Sequence, residues 1–319
     1  MTNNLLSDPS ISYIHGIFPD RFRVFWLLGN FCPYECSYCP QHLHSGTVPY
    51  QDADVVIRTM KKLPKGLMFF SGGEPTYHPD FERIIDEKPE HVTIGLISNA
   101  TRPLAFWERI TPNIFSAVLT YHIEYAQFDR FLSIATLVFK THNKPGRVNL
   151  TMLPSRWDEC LEVYNKIKDA GISIIAKPIL ENFGKDSERM LPEYTDDQIS
   201  WMTIASRSTD LDSSPVYAFN DKNELVFGTS CAELIATKQI NFKGWRCDLP
   251  SKYISISPAG EVYNTTCAQG VYLGNINTGF ELDTNSMICQ QSFCSCFFDI
   301  CGKKSKIAVS PTVVDSSTI

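Results

Sequence analysis

The chain has 319 residues, of which 43% are hydrophobic and 20% charged, and its formal net charge is −6. That size allows one large domain, or a large and a small one, with a substantial core. It carries no run of like charge, no apolar stretch of membrane length and no signal peptide in MTNNLLSDPS, so a cytoplasmic protein without a nucleic-acid or membrane surface is expected.

Residues 1–20 read as an N-terminal extension. FRVFWLL (22–28) is then a short apolar run, followed by a cysteine loop, CPYECSYC (32–39). ADVVIRTMKKL (53–63) has helical spacing, and GLMFF (66–70) reads as a buried strand ending in SGGEP. FERIIDE (81–87) is helical, VTIGLIS (92–98) strand-like and PLAFWERI (103–110) helical. IFSAVLTY (114–121) is a strand, and a long helical pattern covers 124–142. RVNLTML (147–153) is a strand, WDECLEVYNKIKDAG (157–171) a helix ended by Gly171, and ISIIAKPIL (172–180) a strand.

Apolar runs this continuous belong to strands covered on both faces. Alternating with helices, they predict an α/β fold with a parallel sheet and crossover helices. Six units are too few for a closed eight-stranded barrel. A partial (β/α)6 TIM-type barrel over 21–205 is expected, with a doubly wound open sheet as the alternative. CPYECSYC, SGGEP, SNAT (98–101), YHIEY (121–125) and KPIL (177–180) all follow strands, on the rim where parallel barrels carry their chemistry.

The chain has eleven cysteines, which a reducing compartment does not use as disulfides. Three lie at 32, 36 and 39, and six between 247 and 301. Two groups predict two metal sites. Cys160 and Cys231 stand apart and read as small buried apolar residues. Three crowded cysteines suit structural zinc poorly, although His42 or His44 would supply a fourth ligand.

Cys32, Cys36, Tyr38 and Cys39, followed one strand later by Gly72, Gly73, Glu74 and Pro75, resemble the motifs of the radical SAM superfamily. The resemblance covers roughly 20–180. It implies that Cys32, Cys36 and Cys39 hold three irons of a [4Fe–4S] cluster, and that S-adenosylmethionine chelates the fourth. An electron from the cluster would cleave the sulfonium, and the 5′-deoxyadenosyl radical would take a hydrogen atom from an unreactive C–H bond. By the same resemblance the Gly72–Pro75 loop meets the methionine ammonium, with Glu74 accepting from it or holding the loop. Tyr38 lies near the adenine, Ser98 and Asn99 meet ribose or carboxylate, and Asn149 is a ribose or a structural residue. An electron donor such as flavodoxin or ferredoxin is implied.

His122 and Glu124 alternate after a buried strand, so extended geometry would aim both into the barrel mouth; the competing expectation is a surface loop. Lys177 ends a strand of Ile and Ala and needs a partner there. These three are the substrate-side candidates.

From 205 to 240 the pattern is irregular. YISIS (253–257) and EVYNT (261–265) then flank a Pro/Gly turn and predict a β-hairpin between Cys247 and Cys267. With Cys289, Cys294 and Cys296 farther on, residues 206–302 resemble a SPASM/twitch auxiliary-cluster region, the single-cluster twitch form being the better match. That implies an auxiliary [4Fe–4S] cluster on Cys247, Cys267, Cys294 and one of Cys289 or Cys296, with Cys301 the weakest candidate and a zinc knuckle the alternative. Residues 303–319 read as a loose tail.

The substrate expectation is a small molecule (sugar, nucleotide-derived or amino-acid compound), because only 31 residues precede Cys32, too few for a peptide-recognition domain. A peptide-modifying maturase is the alternative. A non-catalytic metal protein is disfavoured by the intact motifs.

Overall fold

The computed structural model describes residues 5–16, 21–181, 189–208, 215–267, 270–294 and 297–307. After a short strand β1 (Tyr13–Gly16), strand and helix alternate as β2 (Phe22–Leu27), α1 (Ala53–Lys62), β3 (Gly66–Ser71), α2 (Phe81–Asp86), β4 (Val92–Ser98) and α3 (Leu104–Ile110). They continue as β5 (Ser116–Tyr121), α4 (Phe128–Thr136), β6 (Gly146–Met152), α5 (Trp157–Asp169) and β7 (Ile174–Pro178). A two-stranded pair, β8 (Leu180–Glu181) with β9 (Arg189–Met190), precedes α6 (Asp196–Ser208).

Strands β2 to β7 pair in sequence order, every pair parallel. A doubly wound sheet would reverse its order partway, so this is the partial barrel. Each strand offers one face to the helices. Val24, Trp26, Met68 and Phe70 are at most 1% exposed in one large core with Val56 and Met60 of α1. Asp52 starts α1 by accepting from the Asp54 and Val55 N–H groups. The helix expected over 124–142 is shorter. Residues 122–125 fold into a turn, with the Tyr125 and Ala126 N–H groups donating to the His122 carbonyl, and a π-turn (Leu137–Thr141) follows α4.

The stretch expected to be irregular contains a hairpin, β10 (Pro215–Phe219) with β11 (Leu225–Ser230), and then α7 (Cys231–Ala236). Its turn hides from an apolar count. The Asn220 side chain accepts from the Lys222 and Glu224 N–H groups, and Asn223 is left-handed at φ 62°. Farther on come β12 (Arg246–Cys247), β13 (Tyr253–Ile256), β14 (Glu261–Tyr263), β15 (Tyr272–Asn275), β16 (Gly279–Phe280), β17 (Met287–Ile288), α8 (Phe297–Ile300) and β18 (Lys304–Ser305).

The expected hairpin, β13–β14, extends the barrel sheet. β13 runs parallel to β2, from Tyr253 opposite Arg23 to Ile256 opposite Trp26, making a ten-stranded sheet with β14 to β16. Gln51 locks the junction. Its Nε2 donates to the carbonyls of Leu27, Ser257 and Pro258, and its Oε1 accepts from Trp26 Nε1 at 2.6 Å. A second sheet has the order β11-β10-β1-β18-β12-β17, so the segment before the barrel lies between strands that come after it. The stretch expected as a loose tail begins with a paired strand, because Lys304 is buried and donates to three carbonyls, of Asp299, Ile300 and Gly302. Among the described residues no helix is long and apolar enough to cross a membrane.

Candidate active site

The cysteine loop leaves β2 through Gly29, Asn30 and Phe31. Asn30 is buried and pins the returning chain: its Oδ1 accepts from the Val48 N–H at 2.9 Å, and its Nδ2 donates to His42 O, Ser45 Oγ and Thr47 Oγ1. Cys36 is buried, and Cys32 and Cys39 are half-buried. Burial pushes the Cys32 thiol up to about 12, Cys36 to about 11, and raises Cys39 as well. Thiols this reluctant to ionise become thiolates when a metal displaces the proton. Cys32 Sγ accepts from the Tyr34 N–H at 3.4 Å and from Asn99 Nδ2 at 3.5 Å, donors that stabilise a metal-bound thiolate. Among the described residues no three His, Cys, Asp or Glu side chains could together hold one metal ion. The three thiols and their sulfur-directed donors fit the iron–sulfur cluster expected from the sequence.

The Gly72–Pro75 loop docks directly on this loop. Gly73 N–H donates to Gly29 O, and Glu74 N–H to Phe31 O at 2.6 Å. A Cβ on Gly73 would lie 2.1 Å from Phe31 O, and one on Gly72, at φ +140°, 2.5 Å from Gly29 O. The glycines therefore let one backbone touch another. Glu74 is fully buried. It accepts from Thr76 N–H, Thr76 Oγ1 and Ser98 Oγ, and from the Asn99 N–H at 2.7 Å. Burial raises its carboxyl against the pull of these donors. Of the two roles expected for Glu74, this geometry is that of holding the loop. Pro75 opens the short 3-10 turn that follows. Asn99 Oδ1 accepts from Thr101 N–H and Oγ1.

His122 and Glu124 both reach the cysteine loop, through the turn rather than by strand alternation. Glu124 accepts from the Ser37 N–H and hydroxyl. His122 Nδ1 shares a 2.8 Å hydrogen bond with Tyr38 Oη, which also meets Thr151 Oγ1 at 3.0 Å, and the two rings stack. Burial first, and the charge of Lys177 second, pull His122 down to about 4, so it is neutral at pH 7. Tyr125 adds a hydroxyl bond to Glu35 O, and its ring stacks on Tyr34. Asn149 lies deeper, its Oδ1 accepting from Arg147 Nε at 3.1 Å. The residues missed by sequence reading are Asn30, Ser37, Gln51, Tyr125 and Thr151. Only Asn30, polar and two residues before Cys32, carried a local signal.

Several C-terminal cysteines lie near Lys304, among them Cys247, Cys294 and Cys301. Cys247 lies directly across from it, β12 against β18, and Met287 flanks Cys247 on the other side. Cys267 Sγ is 3.2 Å from Thr265 Oγ1, and the next residue, Thr266, donates to Asp299 Oδ2. The Cys289 N–H donates to Trp245 O and the Cys294 N–H to Ile240 O. Cys296 lies outside the described residues. Cys231 is buried as expected, but its sulfur sits 3.1 Å from that of Cys301.

With this geometry, residues 26–180 match the profile of the radical SAM superfamily. The stretch spanning the barrel is a radical SAM domain, of a family that uses a [4Fe–4S] cluster and S-adenosylmethionine. Among solved structures, native anSMEcpe with bound AdoMet matches with a TM-score of 0.54 at 15% identity, over 81% of this chain and 78% of that one. The same protein with AdoMet and the Kp18Cys peptide gives 0.52 at 18% identity, with the same coverage. SuiB from Streptococcus suis gives 0.52 at 14% identity, over 81% of this chain and 64% of that one. These likenesses are of fold. No curated protein is similar enough in sequence to count as a relative.

Proposed function

We infer that this chain reductively cleaves S-adenosylmethionine and removes a hydrogen atom from a polar small molecule. The observation that carries the reading is the convergence of Cys32, Cys36 and Cys39 with the Glu74-held loop at the ends of β2 to β4. When bound, the cluster and S-adenosylmethionine supply the electron and the 5′-deoxyadenosyl group. The chain supplies the seat. Asn30 and Glu124 fix the cysteine loop, Glu74 fixes the neighbouring loop, and Tyr38, His122, Thr151 and Lys177 give the mouth a polar wall. That wall supports a polar substrate. A flavodoxin or ferredoxin serves as the electron donor. The C-terminal cysteines, with Cys247, Cys267, Cys289 and Cys294 foremost, hold an auxiliary [4Fe–4S] centre.

The test is anaerobic reconstitution with iron and sulfide, then assay for 5′-deoxyadenosine from S-adenosylmethionine and dithionite. Cleavage that survives Cys32→Ala would sink the reading. For substrate class, cell extract is split by ultrafiltration. Stimulation by the small-molecule filtrate supports the proposal, and stimulation by the peptide fraction alone points to a peptide-modifying enzyme.

A further inference from the structure

Burying an isolated charge is unfavourable unless an opposite charge accompanies it. Lys304 is 1% exposed. Its ammonium donates to the carbonyls of Asp299, Ile300 and Gly302 and lies 4.9 Å from the Phe242 ring centroid, and no carboxylate among the described residues lies within 4.0 Å of it. Arg23 is 7% exposed and sits on β2, between residues packed against the helices. It points to the opposite face of the sheet, toward Asp299 and Cys301. Its Nε has no hydrogen-bond partner among the described residues. The buried carboxylate in reach is Asp299, which spends Oδ2 on Thr266 and leaves Oδ1 without a partner.

Thiols surround these groups. Cys247 is the cross-strand neighbour of Lys304, and Cys301 lies three residues before it, packed on Gly16. Cys289 and Cys294 are tied to the same module by backbone bonds to Trp245 and Ile240. The chamber thus has three buried cations, Lys304, Arg23 and, on β6, Arg147 facing Cys231 and Cys301, with one half-satisfied carboxylate and several cysteines. It is short of negative charge, and Arg23 Nε and Asp299 Oδ1 are buried without a partner among the described residues. A four-iron cluster on four thiolates carries roughly two negative charges, and one more when reduced.

We propose that Lys304 and Arg23 form a cationic wall against the C-terminal cysteine centre and raise its reduction potential. This rests on the reading of those cysteines as an iron–sulfur site. When bound, the cluster would supply a one-electron redox centre, and Lys304 and Arg23 would favour its reduced state. A nearby positive charge stabilises the reduced, more negative state more than the oxidised one, which fixes the direction of the effect.

The test uses the full chain carrying Cys32→Ala, Cys36→Ala and Cys39→Ala, so that only the C-terminal centre can load. Iron and sulfide are quantified after anaerobic reconstitution, and the midpoint potential is read by EPR-monitored titration. Lys304→Met is expected to weaken reduction about tenfold, about 59 mV for a one-electron couple, and Lys304→Arg to restore it. If the triple variant binds no iron, the cluster reading fails and the proposal with it. If it binds iron but Lys304→Met leaves the potential unmoved, the proposal fails alone and Lys304 is only a cap for α8. Should Lys304→Met fail to load, Arg23→Gln is titrated instead, and an unchanged potential there is equally fatal.

Discussion

Glu124 holds Ser37 with both carboxylate oxygens, Oε2 accepting from the backbone N–H at 2.8 Å and Oε1 from the hydroxyl at 2.7 Å. Ser37 lies between Cys36 and Cys39, so a residue from the end of β5 sets the shape of the metal loop. Charge-assisted bonds of this kind contribute about 1.5–3 kcal/mol where shielded, and less at this partly exposed site. Glu124→Ala should therefore lower iron retained after gel filtration several-fold, while Glu124→Gln, which keeps one acceptor, should fall between. Iron content equal to that of the parent in Glu124→Ala would show the clamp to be dispensable.

The two loop glycines should be intolerant for a steric reason. Gly73→Ala drives a methyl to 2.1 Å from Phe31 O, a backbone atom with little room to move. We expect a loss of about 3 kcal/mol or more and failure to bind the cluster. Gly244 is the control. Unlike Gly73 it is left-handed, at φ +85°, and nothing lies within 4 Å of its Cβ position. Gly244→Ala should cost only about 1–2 kcal/mol, from backbone conformation alone. Urea unfolding midpoints compare the two directly, and equal losses would refute the contact argument.

Much of the barrel is legible in the sequence because its strands are covered on both faces and read as continuous apolar runs. The site is only half legible. The cysteines and Gly72–Pro75 announce themselves by spacing. Glu124 was a candidate for a different reason, strand alternation, whereas the chain turns at His122 and reaches Ser37 from there. The 3.1 Å contact of Cys231 with Cys301 joins residues 70 apart and leaves no local pattern.

That contact makes its own prediction. Tetrahedral zinc would hold two thiolates about 3.8 Å apart, from Zn–S bonds of about 2.3 Å. At 3.1 Å the sulfurs need only a small side-chain rotation to bond. Treating the metal-free chain with oxidised glutathione should give a Cys231–Cys301 crosslink in peptide mass spectra, absent in Cys231→Ser. Labelling of both thiols by iodoacetamide after that treatment would contradict it.

Gln51 should couple the hairpin to the barrel. Gln51→Leu leaves the Trp26 indole N–H and three carbonyls short of a partner, at a cost of about 3 kcal/mol. Amide exchange in β13 and β14 should accelerate more than in β4 and β5. Uniform acceleration across the sheet would mean that the junction is not local.

Strand β1 sits between β10 and β18, whose residues are more than 190 positions farther along the chain. Of the described strands it is made first and waits longest for its partners. The barrel strands pair with near neighbours and can assemble as they appear, while the second sheet closes only after its last strand is made. Of the two cysteine groups, the first can therefore meet its metal on a growing chain, and the second must wait until β18 has been made.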